Sequence, residues 1–449
     1  MNPTVKKLIL NSKSDVMGVA WDKTENPSLI RTGASKNFVA NVGVDTTPAY
    51  NSFDSARIFS QIRTVTDTLG NIFVRIPKHY QRKIDLAGYK LWEISEKPRA
   101  GFYLPECFIN QATGQELPYI DVGRYPASMV GTKLQSVSGA YPLVGRNIVE
   151  FRTAARANNA DGLSGYQQLD IHTIDMLQTL FYVEFATLNS QSIMAGYTSG
   201  QYSATHISVK TENAVNRIVV ANAFAALFEV GQAIGIGTSV GGNQIASNRT
   251  ITAKNALTGD DAAYTEIVFD GAAVNIAAGN ILYNTGYKSG ATDILAASSG
   301  SRISNASGKY SMSWHGIENL FGNVWQFADG VNINNRQAWV CKNPSDYASN
   351  VFASPYEQLS YANGSGDGYA SAMGFDAIHP YAALPTSVTG GASTKYYSDY
   401  YYQTTGMIIA LFGGSWIHSA GAGLSCWSLY NGASHTYVSF GGRLLKKPL

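Results

Sequence analysis

Charged side chains are scarce in this sequence. Lys, Arg, Asp and Glu make up 14% of its 449 residues, and the formal net charge is only +2. A protein that is drawn onto nucleic-acid phosphates carries a strongly basic field, which this composition does not provide. We therefore expect no nucleic-acid partner.

Cysteine is equally sparse. The sequence contains three cysteines, Cys107, Cys341 and Cys426, and they lie far apart. A disulfide framework or a zinc site needs paired or clustered thiols, so all three are expected to be free.

Long apolar runs are missing as well. The lysine pair near the N-terminus is followed by only three consecutive apolar residues, far short of the ~7–15 of a secretory signal. The most apolar window, residues 217–230, is interrupted by Asn222 and is shorter than the ~18–20 residues that span a bilayer. We expect neither a signal peptide nor insertion into a membrane.

Glycine and tyrosine, by contrast, are abundant, with 44 and 27 copies, which favours a loop-rich chain built mainly of strands. In the C-terminal stretch, residues 411–449, a frame of glycines and apolar residues encloses a polar and aromatic filling. The frame consists of Phe412, Gly413, Gly414, Trp416, Gly421, Gly423, Gly441, Gly442 and Leu444. The filling consists of Ile417, His418, Ser419, Ser425, Trp427, Tyr430, Asn431, Ser434, His435 and Tyr437.

The filling has the composition of a surface selected to bind. Tyr and Trp give a large contact area for few rotatable bonds, and Ser and Asn give adaptable hydrogen bonds. We predict that these ten residues bind a ligand, with Trp427 as an exposed anchor. Trp325 and Trp416 are expected in the core instead.

Two groups of motifs resemble those of a known family. The C-terminal stretch contains Gly-Gly-Ser-Trp and Gly-Gly-Arg-Leu, and residues 316–330 (GIENLFGNVWQFADG) are similar to a Gly-Asn-Val-Trp-Glu-Trp motif. In this order they resemble the C-type-lectin-fold family that joins formylglycine-generating enzymes to the variable proteins of diversity-generating retroelements. The stretches FVRIPKHY, GFYLPECF and LQTLFYVEFATLNSQSI further resemble tail proteins of phages and prophages of Gram-positive bacteria. The resemblance covers residues 60–206 and 300–449.

The resemblance implies an α+β fold with a C-type-lectin-like domain of the formylglycine-generating-enzyme type. It implies a phage tail protein of the virion, made in the host cytoplasm, which presents its C-terminal loops to a bacterial cell-surface receptor, a glycan or a protein. Other tail proteins would be partners, and a homotrimer is expected because repeated display raises avidity. In relatives diversified by a retroelement such filling positions vary, so the ten residues are the expected variable positions.

Changes of pattern divide the chain into four segments. Residues 1–55 form an irregular N-terminal extension, which either serves attachment or oligomerisation or packs on its own domain. Residues 56–207 and 300–449 are the two parts of the lectin-like domain. Residues 208–299 contain short β-rich runs separated by turn residues, which predict an inserted small antiparallel β-barrel.

Local patterns predict several elements. Ile72, Val74 and Ile76 alternate with other residues after a turn at residues 69–71, which predicts a hairpin into a half-buried strand. Further strands are predicted at residues 89–94 and 119–125, and a short helix at residues 147–157. The clearest helix is residues 173–188, with Asp170 as its N-cap and an apolar stripe formed by Ile174, Leu177, Phe181 and Phe185.

A long connection with little periodicity, residues 341–407, ends in a tyrosine-rich cluster at residues 396–402. Connections of this length within a domain are usually functional or disordered. Aromatic clusters are hard to leave in water, so we expect an ordered loop. The cluster either packs beneath the binding face or contributes to it, and both interpretations stay open.

The oxidases of the family require a search for catalytic groups. The resemblance associates copper with two nearby cysteines, but the C-terminal block contains Cys426 alone. Iron-dependent relatives use a histidine triad, and none of the seven histidines lies in a matching cluster. Glycan cleavage needs two carboxylates, and Asp399 is the only acid among the last 59 residues. Carboxylates elsewhere, such as Glu184, Asp270 and Asp329, stay open.

Family members can also bind calcium beside the Gly-Asn-Val-Trp turn. Gln326 stands in the position of the motif's glutamate and Asp329 follows it, so a formal charge that a hard cation favours is lost. We predict no catalytic residue, no metal site and no cofactor, with structural calcium as the open alternative.

Three functions are compatible with this sequence. The first is a non-enzymatic tail adhesin that binds a bacterial surface receptor. The second is a structural tail or baseplate protein that uses the same face for subunit contacts. The third, and least favoured, is a formylglycine-type oxidase.

Overall fold

Strands dominate the computed structural model of this protein, which describes residues 15–160, 162–303 and 306–449. They hold 35% of the residues against 12% in helices, and one sheet curls into a half-barrel. The β-rich character expected from the glycine and tyrosine content is confirmed. None of the described helices has the length and apolar character needed to cross a bilayer.

The first part of the chain supplies eleven strands. They are β1 (Met17–Trp21), β2 (Ile30–Gly33), β3 (Gly43–Val44), β4 (Arg63–Thr66), β5 (Ile72–Pro77), β6 (Tyr80–Leu86), β7 (Tyr89–Ser95), β8 (Tyr119–Gly123), β9 (Ser128–Val130), β10 (Lys133–Gln135) and β11 (Tyr166–Gln168). β4 and β5 form the predicted hairpin, and β7 and β8 confirm the two further predicted strands.

The N-terminal segment is built into this part. β1 lies inside a four-stranded antiparallel sheet in the order β2-β1-β7-β6, and its central residue Val19 is fully buried. Residues 15–55 therefore pack on their own domain, as one of the two interpretations expects. Residues 1–14 of the predicted extension lie outside the described residues.

Three helices are described: α1 (Ile148–Arg156), α2 (Ile171–Phe185) and α3 (Asn222–Ala225), the last a single turn. Asn147 and Glu150 form a capping box at the start of α1. Asp170 caps α2 as predicted, because its carboxylate accepts the Thr173 N–H at 2.8 Å. Every residue of α2 is buried, so the helix presents no solvent face and the predicted single apolar stripe was too narrow.

The inserted unit, residues 208–299, has a hydrophobic core of its own. Its strands are β12 (Glu212–Val215), β13 (Arg217–Ala221), β14 (Ala233–Gly237), β15 (Ala246–Ala256), β16 (Tyr264–Phe269), β17 (Val274–Ile276) and β18 (Ile281–Asn284). Five of them form an antiparallel sheet in the order β13-β16-β15-β14-β18.

This sheet is an incomplete version of the predicted barrel, since its edge strands β13 and β18 do not pair with each other. The segment that enters the unit spans the gap with isolated hydrogen bonds. Leu282 N–H donates to the His206 carbonyl at 2.8 Å, and Val209 N–H donates to the Val219 carbonyl at 2.9 Å.

The last part supplies fourteen strands. They are β19 (Gly300–Ser301), β20 (Met312–Trp314), β21 (Ile317–Glu318), β22 (Trp325–Asn334), β23 (Gln337–Val340), β24 (Glu357–Ala362), β25 (Gly368–Tyr369), β26 (Ala372–Met373), β27 (Pro385–Ser387), β28 (Tyr400–Gln403), β29 (Met407–Phe412), β30 (Trp427–Leu429), β31 (Phe440–Gly441) and β32 (Leu444–Lys446). The connection at residues 341–407 is thus ordered and contains five short strands.

Two sheets join the first and last parts of the chain. An eight-stranded sheet runs in the order β24-β23-β22-β29-β30-β28-β25, with β31 beside β22. The C-terminal strand β32 inserts between β11 and β8 in a five-stranded sheet, β11-β32-β8-β5-β4. Because its neighbours lie about three hundred residues earlier, β32 closes the domain, as the two-part organisation around an insertion requires.

Arg443, the residue directly before β32, connects these parts through buried hydrogen bonds. Its side chain is fully buried, and burial lowers the pKa of its guanidinium to about 9, which leaves it charged at neutral pH. The guanidinium donates to the Gln326 side-chain oxygen and to the carbonyls of Gly123, Arg124, Glu318 and Asn319, at 2.7 to 3.1 Å.

A second buried connection centres on Glu184 in α2, whose side chain is fully buried. Its carboxylate accepts from Asn51 at 2.7 Å and from the Trp314 indole N–H at 2.7 Å. The His315 Nε2 lies 3.0 Å from both carboxylate oxygens. The Glu184 carboxylate of α2 therefore contacts both the N-terminal segment and the start of the last part of the chain.

Replacing Arg443 with lysine should reduce the free energy of unfolding by at least about 3 kcal/mol. An ammonium has three donors on a flexible stem and cannot reproduce the planar fork that serves five acceptors. Urea unfolding measures the change, with the exposed Arg63→Lys as the matched control, expected within about 0.5 kcal/mol of wild type. Equal stability of the two variants would contradict this role of Arg443.

The His315 and Glu184 pair should make stability depend on pH. Desolvation by burial lowers the pKa of His315, but the Glu184 carboxylate raises it, and the net pKa lies above the usual 6.5. A histidine with a raised pKa stabilises the fold fully below its unfolded pKa, and this stability is lost as the pH rises through the folded pKa.

Urea unfolding at about pH 6 and about pH 9 tests this dependence. Wild type should lose more free energy of unfolding over that interval than His315→Asn, because the variant has no imidazole to titrate. Asn is a suitable replacement because it tolerates the left-handed backbone at this position, φ +46°. Parallel pH profiles for the two proteins would show that the pair contributes nothing.

Candidate functional site

An open groove of about 410 Å³ lies among the C-terminal loops, within the volume range of ligand sites. Five segments form it: the start of β22, the residue before β25, the strand β28, the loop after β29 and the stretch from β30 to the start of β31. Its lining residues are Trp325, Asp367, Tyr402, Ile417, His418, Ser428, Tyr430, Asn431, His435, Tyr437, Ser439 and Phe440.

Three rings in edge-to-face contact form one wall of the groove. The His418 ring lies 4.9 Å from that of Trp325 and 5.6 Å from that of Tyr402, and the Trp325 and Tyr402 rings are 6.1 Å apart. All three pairs are nearly perpendicular, which is a favoured arrangement of aromatic quadrupoles. The wall is therefore held rigid before any ligand arrives.

His418 is a neutral imidazole with a defined tautomer. Burial lowers its pKa to about 4, so it carries no charge at neutral pH. Its Nδ1 accepts from the Ser415 backbone N–H at 3.2 Å, which places the ring proton on Nε2. The Ser415 hydroxyl also lies 2.9 Å from Nδ1, but Ser415 is fully buried and does not line the groove. This pair orients the ring and does not present a nucleophile to the groove.

The loop after β30, residues 430–439, supplies most of the remaining lining of the groove. Tyr430 and Tyr437 are 55% and 45% exposed, which is unusual for large aromatic side chains. The loop is anchored at both ends, since Ile409 N–H donates to the Asn431 carbonyl and Gly145 N–H donates to the Tyr437 carbonyl, both at 2.9 Å. The exposed side chains thus project from a fixed backbone.

Six of the ten predicted ligand-binding residues line this groove: Ile417, His418, Tyr430, Asn431, His435 and Tyr437. Ser419 and Ser434 are exposed in the same loops but do not line it. The eight residues therefore share one surface of the protein.

Ser425 and Trp427 do not belong to this surface. Trp427 is fully buried, and its ring packs 5.4 Å from that of Phe412. Ser425 is also fully buried, with its hydroxyl 2.6 Å from the Tyr182 hydroxyl of α2. The prediction of Trp427 as an exposed anchor is wrong, because successive side chains of β30 alternate between faces, and Ser428 is the residue that faces the groove.

The groove also contains Asp367, Ser428, Ser439 and Phe440, which the sequence did not indicate, and Trp325, which was expected in the core. Tyr402 belongs to the tyrosine-rich cluster that was expected either beneath the binding face or on it. The tyrosine cluster contained a usable signal, again the alternation of a strand. Tyr401 is fully buried, whereas Tyr402 on the other face lines the groove. Both interpretations of the cluster thus apply, to different members. Trp325 is only 3% exposed, so it is both a core residue and the floor of the groove.

The glycine frame sets the path of the first loop. Gly413 and Gly414 have φ of +93° and +77°, a region that favours glycine. A Cβ on Gly414 would lie 2.8 Å from the Ala422 Cα, closer than any side chain tolerates. The frame residue Trp416 is 1% exposed, as predicted. This tight turn places Ile417 and His418 in the lining of the groove.

The two candidate calcium ligands, Asp329 and Gln326, already have cationic partners. Both Asp329 oxygens accept from the Arg152 guanidinium at 2.8 Å, and the Gln326 oxygen accepts from Arg443 at 2.8 Å. A cation at these atoms would face two guanidinium charges, so the residues do not fit a calcium ion. Cys426 is fully buried, and burial raises the pKa of its thiol well above the usual value, so it has little thiolate character.

A scan against protein-family models finds no match to the chain, and a search of curated proteins finds no match either. What the groove binds is therefore inferred from its own residues.

Trp427 and Tyr430 should respond in opposite ways to substitution by alanine. Trp427→Ala removes a fully buried ring and should cost about 3–5 kcal/mol of the free energy of unfolding, because a cavity remains. Tyr430→Ala removes a half-exposed ring and should change it by no more than about 0.5 kcal/mol. Urea unfolding of both variants decides the matter, and similar losses would mean that the loop after β30 is part of the core.

Proposed function

We propose that this chain is a receptor-binding protein of a phage-type tail, with a C-type-lectin-like domain of the formylglycine-generating-enzyme type. The groove would face a bacterial surface and bind a receptor there. The observation that carries the proposal is a groove lined by a packed aromatic cluster and by two exposed tyrosines, Tyr430 and Tyr437, whose loop is anchored by backbone hydrogen bonds. Aromatic anchors of this kind dominate binding energy at recognition surfaces.

The arrangement also supports a surface that can vary. The eight exposed or half-exposed filling residues lie on loops, and the frame beneath them is buried. Side chains on such loops change without loss of core packing. This is the property that a retroelement-diversified protein, or one that drifts under selection by its host, would need. Homotrimeric display would raise the avidity of a weak single site.

A non-enzymatic role fits the chemistry of the groove better than hydrolysis. Asp367 is the one carboxylate among the described residues that line the groove, and its Oδ1 already accepts the Gln403 N–H at 2.8 Å. Glycosidic cleavage by the usual routes uses two carboxylates across the bond. His418 has a pKa of about 4 and is a weak base at neutral pH. Binding without turnover is the function we infer.

The decisive variant is the double substitution Tyr430→Ala/Tyr437→Ala. It should lower the apparent affinity for susceptible bacterial cells by roughly a thousandfold, since loss of each tyrosine anchor costs about 2 kcal/mol. Adsorption of fluorescently labelled protein to a panel of Gram-positive cells measures the effect. The matched control is Tyr50→Ala, which removes a 73% exposed tyrosine that does not line the groove.

Three results would contradict the proposal. The double variant could adsorb like wild type, or wild type could adsorb to no cell in the panel. The third result is an image of the assembled particle that shows residues 417–437 buried against another tail protein. That image would favour the alternative role, a structural protein of the tail or baseplate that uses this face for subunit contacts.

A further inference from the structure

A cleft of about 190 Å³ separates the inserted unit from the main domain. Pro142, Trp416 and Val438 line it from the main domain, and Tyr283 and Asn248 from the inserted unit. Its volume lies below the range of whole ligand sites, so it suits one unit of a larger ligand.

The two walls of the cleft are fixed relative to each other. The Tyr141 hydroxyl lies 2.7 Å from the Thr250 hydroxyl, and the Gln232 side-chain amide donates to the Lys309 carbonyl at 3.0 Å. Lys309 also pairs with Glu229 at 2.9 Å. These contacts cross between the inserted unit and the main domain, so the cleft is a preformed feature.

Two buried polar atoms in residues of this cleft have no hydrogen-bond partner among the described residues. They are the Trp416 indole nitrogen and the Thr285 hydroxyl oxygen. Trp416 is only 1% exposed, and an unsatisfied buried donor costs about 1–3 kcal/mol. Both atoms are enclosed by protein and out of reach of a ligand in the cleft, so the accessible lining residues decide what it binds.

The lining chemistry selects the class of ligand. Aromatic rings come from Tyr202, Tyr283 and Trp416, and accessible polar groups come from Asn243, Ser247 and Asn248. The described lining contains no charged side chain. Phosphate groups bind where arginine or lysine is present, and a charge is costly to bury alone. Rings with amides and hydroxyls instead suit a neutral sugar.

The cleft and the groove are separated by a single loop. Trp416 and Val438 line the cleft, whereas their neighbours Ile417, Tyr437 and Ser439 line the groove. Consecutive Cα atoms are ~3.8 Å apart, so the two cavities lie within the reach of adjacent units of one polymer.

We propose that the cleft is a second subsite, and that the receptor of this protein is a neutral glycan polymer with one sugar unit in the groove and a further unit in the cleft. The sugar is a hexose or an N-acetylhexosamine, whose hydroxyl or acetamide groups pair with the exposed side chains of Ser247 and Asn248. The inference rests on the proposed function, and it assigns the inserted unit a role in recognition.

The test begins with a strain to which the wild-type protein adsorbs. Cell-wall polysaccharide of that strain is freed of phosphodiesters with hydrofluoric acid and separated by length. Titration calorimetry then measures the affinity of each fraction. Fragments long enough to fill both subsites should bind at least about tenfold more tightly than the shortest fragment, because the second contact is intramolecular.

Two variants of the cleft and one control isolate the second subsite. Tyr202→Ala and Asn248→Gly should each reduce the gain with length to less than about threefold. Glycine suits position 248 because its backbone is left-handed, φ +50°. Tyr264→Ala, at a half-buried tyrosine of the inserted unit that lines neither cavity, should retain the full gain. Melting temperatures verify that the variants are folded.

The outcomes separate this inference from the proposed function. If the protein adsorbs to cells but no neutral fragment binds, the receptor is a protein or an anionic polymer and the glycan assignment is wrong. If fragments bind with the same length dependence in wild type and both cleft variants, the groove is the whole site and the second subsite is wrong. Failure of wild type to adsorb to any cell instead removes the proposed function itself.

Discussion

The structure depends on one buried charge, the guanidinium of Arg443, and on the acceptors that surround it. A lone charge in the interior is costly, and it is tolerated here because its donors are satisfied. The acceptors come from the strand β8, the loop beside β21 and the start of β22. The charge therefore fixes how the C-terminal strand β32 meets the sheet that carries Trp325, the floor of the groove.

The groove follows from this arrangement. Because β32 is locked between β11 and β8, the loop before it must cross the end of the eight-stranded sheet, and that loop carries Tyr430, His435 and Tyr437. The aromatic wall of the groove is rigid for a different reason, because the rings of Trp325, Tyr402 and His418 pack against one another. The result is a surface with fixed walls and replaceable side chains. Such a surface binds without large ordering costs, which favours recognition even when single contacts are weak.

Local elements were predictable from the sequence because their causes are local. The alternation in β5, the N-cap Asp170 and the capping residue Asn147 each specify structure within a few residues. The N-terminal strand β1 was not predictable, because it is stabilised by β7 about seventy residues away. The same dependence on strands distant in the sequence explains why the burial of Trp427 was not predicted. Which face of a short strand is buried depends on its register with β28 and β29, and a three-residue strand contains too little alternation to show it.

The electrostatics of both cavities point to one class of ligand. Neither lining contains a lysine or arginine among the described residues, and His418 is neutral, so phosphate-rich polymers have no counter-charge there. Aromatic rings, amides and hydroxyls remain, and these suit a neutral glycan.

Hydrogen–deuterium exchange with cell-wall polysaccharide from an adsorbing strain shows whether the polymer occupies both the groove and the cleft, since exchange reports protection segment by segment. We expect slower exchange on binding in residues 417–419 and 430–439, together with residues 241–248 of the inserted unit. Protection confined to other parts of the chain, such as the face formed by residues 15–55, would contradict this expectation.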